Sequence, residues 1–177
     1  MTGLIKCKIP AELKSSLFFS TDEMEISPDR LQDWSITCGE PFFPYEILYW
    51  SALDSHHPWE NCRKPINDLL ARWLVLKEKA GKLFAERKAQ ETIEPMREGL
   101  SLLLSILFWL HSEPVHLMDW EDKLARFPYK PVNTEERLRF ILARPVLYHS
   151  FVQLGELFTE LEKQYHKKNI LSPKKNV

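Results

Sequence analysis

The sequence predicts an all-α protein, built as a compact helical bundle around one buried apolar central helix, with a proline- and aromatic-rich N-terminal region of short helices and loops. Three observations lead to this fold class. Residues 99–111 form an apolar stretch without a charged side chain, two long segments repeat apolar residues with the period of a helix, and alternating β-branched runs bounded by turns are absent.

The apolar stretch GLSLLLSILFWLH is predicted to lie within a central helix that spans residues 94–111. A membrane-spanning helix needs about 20 consecutive apolar residues, so this stretch is too short to cross a bilayer. Its apolar side chains point in every direction, as they do in a helix buried at the middle of a bundle. Ser101 and Ser105, one turn apart, predict a close approach by a neighbouring helix, with each hydroxyl bonded to a carbonyl one turn back.

Two long amphipathic segments are expected to pack against the central helix. In the first, which covers about residues 67–91, one helical stripe contains Leu69, Trp73, Leu76, Ala80, Leu83 and Phe84. In the second, about residues 146–167, a narrow apolar seam contains Leu147, Phe151, Leu154, Phe158, Leu161 and Tyr165. Seams of this spacing pack on one partner helix. We interpret this one as part of an intramolecular bundle, with a dimeric coiled coil as the alternative.

Shorter helices are predicted elsewhere in the chain. Pro28 begins one of them after Ser27 as its N-cap, and Asn133 is the expected N-cap of NTEERLRFILA. PYEILYWSAL and VHLMDWEDKLARF each fit two or three helical turns. We therefore expect a single all-α domain over residues 1–166, partly extended over residues 1–39. Residues 167–177 contain four lysines and few aliphatic side chains, which predicts a flexible basic tail.

Composition and charge limit the classes of function. Apolar residues make up 44% and charged residues 28% of the 177-residue chain, as in a globular protein. A net charge of −1 provides no general attraction to nucleic acid or to an anionic membrane. The N-terminus lacks the apolar region of a signal peptide, and three cysteines without a C-x-x-C pair indicate a reducing compartment. We expect a cytoplasmic protein.

Common catalytic and nucleotide-binding motifs are absent from the sequence. Glycine-rich phosphate loops, G-x-S-x-G and H-E-x-x-H do not occur, so we assign no catalytic residue and no cofactor. The segment DSHHPWENC, residues 54–62, contains histidine, cysteine and carboxylate side chains that can bind transition metals. The second half of a zinc site is missing. We interpret this segment as a loop held down by Trp59 and predict no metal.

Two sets of residues are candidates for binding. The first is an aromatic surface for a protein partner, formed by Tyr45, Tyr49, Trp50 and Trp59, because tyrosine and tryptophan dominate interface hot spots. The alternative is that these aromatic side chains hold the N-terminal half onto the bundle. The second set would contact nucleic acid and contains Arg72, Lys79, Lys82, Lys167, Lys168, Lys174 and Lys175.

The order of several segments resembles that of a known family. An aromatic and proline-rich segment, then SALDSHHPWE, a long amphipathic helix and an apolar helix look like the YpoC-like family of small bacillar proteins, over roughly residues 40–166. The resemblance implies a bacterial cytoplasmic helical protein and brings no active site with it.

These observations favour a non-enzymatic helical interaction or adaptor protein of the bacterial cytoplasm, which binds a protein partner through its aromatic surface. Two alternatives stay open: a nucleic-acid-associated accessory protein and an enzyme without a recognisable motif. We expect a monomer or weak homodimer that does not bind a membrane.

Overall fold

The apolar segment forms the central helix of a helical bundle, as predicted. The structure is a computed structural model and describes residues 3–172. Two strands and six α-helices are present in this range: β1 Ile5–Lys8, β2 Glu23–Ile26, α1 Pro44–Trp50, α2 Arg63–Ala85, α3 Ile93–Trp109, α4 Trp120–Ala125, α5 Thr134–Ala143 and α6 Tyr148–Leu171. Short 3₁₀ helices cover Ala11–Leu13, Pro28–Leu31 and Ala89–Thr92.

Helix α3 is enclosed on all sides. Every residue from Glu98 to Trp109 is buried, and α2 and α6 both pack directly against the helix. The predicted hydrogen bonds of the two serines to carbonyls one turn back are confirmed. Ser101 donates to the carbonyl of Glu98 at 2.6 Å, and Ser105 donates to the carbonyl of Ser101 at 2.8 Å. A helix that is apolar on every face is stable in water only when its neighbours cover it.

Trp73 of α2 connects the three long helices. Its ring lies parallel to that of Phe158 in α6, with 4.3 Å between the ring centroids. Against α3, the ring lies so close to Gly99 that a Cβ atom placed there would be 2.7 Å from it. Gly99 therefore has to lack a side chain for α2 and α3 to reach this separation.

The seam of α6 is confirmed at Leu154, Phe158, Leu161 and Tyr165, which are buried. It is wrong at Leu147, which precedes the helix and is 42% exposed.

The predicted start of the C-terminal tail is also wrong. Helix α6 continues to Leu171, so residues 167–171 are helical. Lys168 donates a hydrogen bond from its ammonium group to the carbonyl of Leu110 and lies over the ring of Tyr129. Lys174 and Lys175 lie outside the described residues.

The N-terminal region contains a small sheet, which corrects the all-α prediction. Strands β1 and β2 pair antiparallel, with Ile5 opposite Ile26 and Lys8 opposite Glu23. Each strand has only four residues and half of them are charged, so no β-branched pattern marked them in the sequence. Cys7 and Ile26 are buried in the common core, and the sheet therefore forms part of the same hydrophobic core as the helices.

The predicted N-caps have the right positions but make no capping hydrogen bond. Ser27 precedes a single 3₁₀ turn. Asn133 precedes α5 with a φ of 56°, a left-handed conformation in which its side chain makes no bond to the helix. The hydroxyl of Thr134 instead donates to the carbonyl of Pro131.

Shortening of a buried side chain in the central helix should destabilise the bundle. Leu103 and Leu107 have no exposed surface, so Leu103→Ala and Leu107→Ala should each lower the free energy of unfolding by about 2–5 kcal/mol through the cavity they leave. Leu74→Ala, at a position that is 66% exposed, is the matched control and should change it by less than about 0.5 kcal/mol. Urea denaturation measures all three. Equal midpoints for the three variants would contradict the central position of α3.

Candidate functional site

The predicted aromatic surface is only partly a surface. Tyr45 and Trp59 are buried, at 1% and 4% exposure, so their assignment as partner-binding residues is wrong. For these two, the alternative that aromatic side chains hold the N-terminal half onto the bundle is confirmed. Tyr49 is exposed and makes an edge-on contact with Trp59. Trp50 is half-buried and donates a hydrogen bond to the carbonyl of Val115 at 3.0 Å.

The histidine-containing loop at residues 54–62 is held by internal contacts. The ring of His57 stacks on Trp59, and its Nδ1 lies 2.9 Å from Glu60 Oε1. The backbone N–H of His56 donates to the carbonyl of Leu31 at 2.7 Å. Within residues 3–172, no group of three or more histidine, cysteine, aspartate or glutamate side chains is arranged to hold a metal ion.

The predicted nucleic-acid contacts include two side chains that the fold uses internally. Arg72 forms a two-pronged ion pair with Glu98, at 2.6 and 3.1 Å, which links α2 to α3. Lys168 is bonded to the C-terminal end of α3, as described above. Lys79, Lys82 and Lys167 are exposed. Arg72 and Lys168 are therefore corrected from candidate contacts to structural residues.

A groove runs along the surface between α2 and α6. It consists of two adjoining depressions, of about 680 and 290 Å³, which share Lys77 and Thr159. We call this the α2–α6 groove. Its apolar lining is formed by Leu70, Trp73, Leu74, Phe151, Val152 and Phe158. Leu74 is 66% exposed, so this apolar surface faces solvent.

Two glycines and one lysine lie where α2 and α6 meet. A Cβ at Gly81 would touch the ring of Phe151 at 3.6 Å, and one at Gly155 would touch the side chain of Lys77 at 3.7 Å. Both are ordinary van der Waals distances, so a methyl group at either position would fit without moving the helices apart. Among the described residues, no carboxylate lies within ion-pair distance of Lys77, whereas Glu156 and Glu160 on the opposite wall are paired with Arg137.

A second feature lies beneath the N-terminal region, on α1. Glu46 has no exposed surface. Its Oε1 accepts hydrogen bonds from Trp109 Nε1 at 2.6 Å and from the backbone N–H of Val115 at 3.3 Å. Its Oε2 is buried and has no hydrogen-bond partner among the described residues. Burial raises the pKa of Glu46 to about 7, although the hydrogen bonds to Trp109 and Val115 act to lower it.

The α2–α6 groove and Glu46 were both missed by sequence reasoning, although each has a local signal. Leu70 and Leu74 are one turn apart and lie off the predicted buried stripe of α2, which indicates a second apolar face. Glu46 is the single charged residue in the apolar helix PYEILYW. A carboxylate in such a helix is either at its exposed edge or buried with a partner.

The fold and the groove define a helical-bundle protein with an open surface between two helices. Within residues 3–172, no helix is long and apolar enough to cross a membrane. The chain belongs to the YpoC-like protein family, whose model matches residues 63–173. This match contains α2 to α6, and hence the α2–α6 groove. The predicted family is thereby confirmed, but the matched region begins after SALDSHHPWE and excludes α1.

A curated relative agrees with this assignment. The chain is 35% identical over 125 residues to the uncharacterized protein YpoC of Bacillus subtilis strain 168. The aligned region covers 70% of this chain and 76% of that protein. No solved structure matches the chain.

Replacement of Glu46 by glutamine should stabilise the protein increasingly as the pH rises. The pKa of Glu46 is about 7 in the folded state and ordinarily 4.5, so between these values the folded state binds more protons than the unfolded state. The free energy of unfolding of the parent should therefore fall over this range. Relative to the parent, Glu46→Gln should gain about 3 kcal/mol between pH 4.5 and pH 8.

Urea denaturation at a series of pH values measures this difference. Glu91→Gln, at an exposed position, is the matched control and should run parallel to the parent. A constant difference between Glu46→Gln and the parent over the whole range would contradict a buried, ionisable Glu46.

Proposed function

We propose that the protein is a non-enzymatic helical interaction protein of the bacterial cytoplasm, which binds an amphipathic helix of a protein partner in the α2–α6 groove. The observation that carries the proposal is the apolar lining of this groove, in which Leu74 of α2 and Val152 of α6 are exposed to solvent. Helix-in-groove recognition uses such a surface, because the apolar face of a bound helix then leaves water.

The dimensions of the groove support a helix as the occupant. Helix α2 has 23 residues and helix α6 has 24, so each wall is long enough to accompany several turns of a bound helix. Leu74 and Val152 lie on opposite walls and are both exposed. Apolar residues of a partner helix, spaced three and four apart, would lie between these side chains.

The charge of the groove narrows the chemistry of the partner. Lys77 lines both depressions and has no carboxylate in ion-pair distance among the described residues. A cation on an apolar lining loses hydration when it is covered, so a bound helix has to supply an acceptor. We therefore propose that the apolar face of the partner helix carries one aspartate or glutamate opposite Lys77.

The aromatic surface predicted from the sequence is a weaker candidate for the partner-binding site than the α2–α6 groove. Of the four predicted contacts, Tyr45 and Trp59 are buried. Tyr49 and Trp50 contact each other and neighbouring aromatic rings. Of the basic candidates within residues 3–172, Arg72 and Lys168 are bonded to other parts of the fold, which makes nucleic acid the weaker proposal for the ligand.

Site-specific crosslinking tests the groove directly. A photoreactive amino acid at position 74 should capture a defined partner in the cells that naturally express the protein, whereas the same group at position 75 should not. Val75 is the matched control, because it is 57% exposed on the same helix but does not line the groove. Mass spectrometry identifies the captured protein and the crosslinked segment.

A synthetic peptide of that segment then tests the assigned contacts by fluorescence anisotropy. Leu74→Asp and Lys77→Glu should each weaken binding at least tenfold, while Val75→Asp should leave the dissociation constant unchanged. Exchange of the peptide carboxylate for lysine should restore binding to the Lys77→Glu variant. Equal crosslinking at positions 74 and 75, or equal affinity of all variants, would contradict the proposal.

A further inference from the structure

A small cavity lies next to Glu46, between α1, α3 and the segment that precedes α1. Its volume is about 30 Å³, which is room for a species the size of a water molecule. Four buried polar side chains line it: Glu46, Glu98, Ser101 and Ser105. The exposed residue Thr37 and the half-buried Gly39 also line it, so the cavity reaches towards solvent at one end.

When Glu46 is ionised, the four buried polar groups have only acceptors to offer to a ligand. The hydroxyl protons of Ser101 and Ser105 are donated to backbone carbonyls. Glu98 is an acceptor for Arg72, and Glu46 has an oxygen without a partner. A species that fills the cavity therefore has to donate hydrogen bonds or carry positive charge.

The charge around the cavity is not balanced within the described residues. Arg72 neutralises Glu98, but no basic side chain lies within ion-pair distance of Glu46. An ionised buried carboxylate without a counter-charge is costly, so a cation beside Glu46 would stabilise its ionised form. The other walls include aromatic rings of Trp34, Tyr45 and Trp109, and aromatic rings attract small cations.

We infer that this cavity is a binding site for one small monovalent cation, ammonium or an alkali-metal ion, with the unpartnered oxygen of Glu46 as its principal ligand and the hydroxyls of Ser101 and Ser105 as further acceptors. The inference is independent of the α2–α6 groove. A divalent metal is disfavoured, because only two carboxylates are present and Arg72 already occupies one of them.

Thermal unfolding in different chlorides tests the site. At pH 8.5 and constant ionic strength, choline chloride is exchanged stepwise for ammonium, potassium, sodium or lithium chloride. The midpoint Tm should rise by about 3–6 °C when a cation that fits reaches tenfold excess over its dissociation constant. The four salts separate ammonium from the alkali metals, whereas choline is too large for the cavity.

Variants of the lining separate specific binding from general salt effects. Glu46→Gln should abolish the cation-dependent rise in Tm, and Ser105→Ala should reduce it. Ser150→Ala is the matched control, because Ser150 is equally buried but bonds to the carbonyl of Arg144 away from the cavity. This variant should keep the full rise whatever its own starting Tm.

A direct measurement covers the case in which Glu46→Gln does not fold. If ammonium is the cation that fits, the parent protein should bind ¹⁵N-ammonium with nuclear Overhauser effects to the ring protons of Tyr45 and Trp109. If an alkali metal fits better, it should remove those effects by competition. Equal Tm values in all five chlorides, or a rise that Glu46→Gln retains, would overturn the inference and leave a water molecule as the occupant.

Discussion

The contact of Trp73 with Gly99 on one side and Phe158 on the other determines how the three long helices are arranged. The indole ring fills the space that a side chain at Gly99 would need, and it stacks on a ring of α6 at 4.3 Å. Because α2 and α6 both pack against α3 around this ring, the ring constrains the distance between α2 and α6 as well as their relative position. Stacking of this kind contributes about 0.5–1.5 kcal/mol beyond the buried area.

The α2–α6 groove is a consequence of the same packing. Two helices that pack side by side on α3 leave a groove between their outer edges. The core residues of α2 and the groove residues Leu70 and Leu74 lie on adjacent faces of one helix. The groove is therefore built on rigid elements, which is favourable for recognition because little conformational entropy is lost on binding.

Another part of α3 is covered by the N-terminal region. Helix α1 and the segment that precedes it place aromatic side chains on the core, and together with α3 they line the small cavity beside Glu46. This layer precedes the region that the YpoC-like family model matches, whereas the groove lies within it. The cavity thus combines Glu46, which precedes the matched region, with Glu98, Ser101 and Ser105, which lie within it.

The sequence by itself determined the central helix, the buried stripe of α2 and most of the seam of α6, because the number and spacing of apolar residues require burial on known faces. For Trp59 the sequence left two interpretations open, a partner contact and an anchor of its loop, and only its burial decided between them. Tertiary structure alone decided the pairing of strands β1 and β2, since their alternation of charged and apolar residues is too short to be distinctive.

The candidate sites depended on tertiary structure for a related reason. Arg72 and Lys79 both lie beside the buried stripe, yet only Arg72 has Glu98 within reach and becomes internal. Tyr45 and Tyr49 are one turn apart on α1, but the segment at residues 33–35 covers only Tyr45. Periodicity assigns a residue to a face of its own element, whereas the partner that covers this face comes from distant parts of the chain.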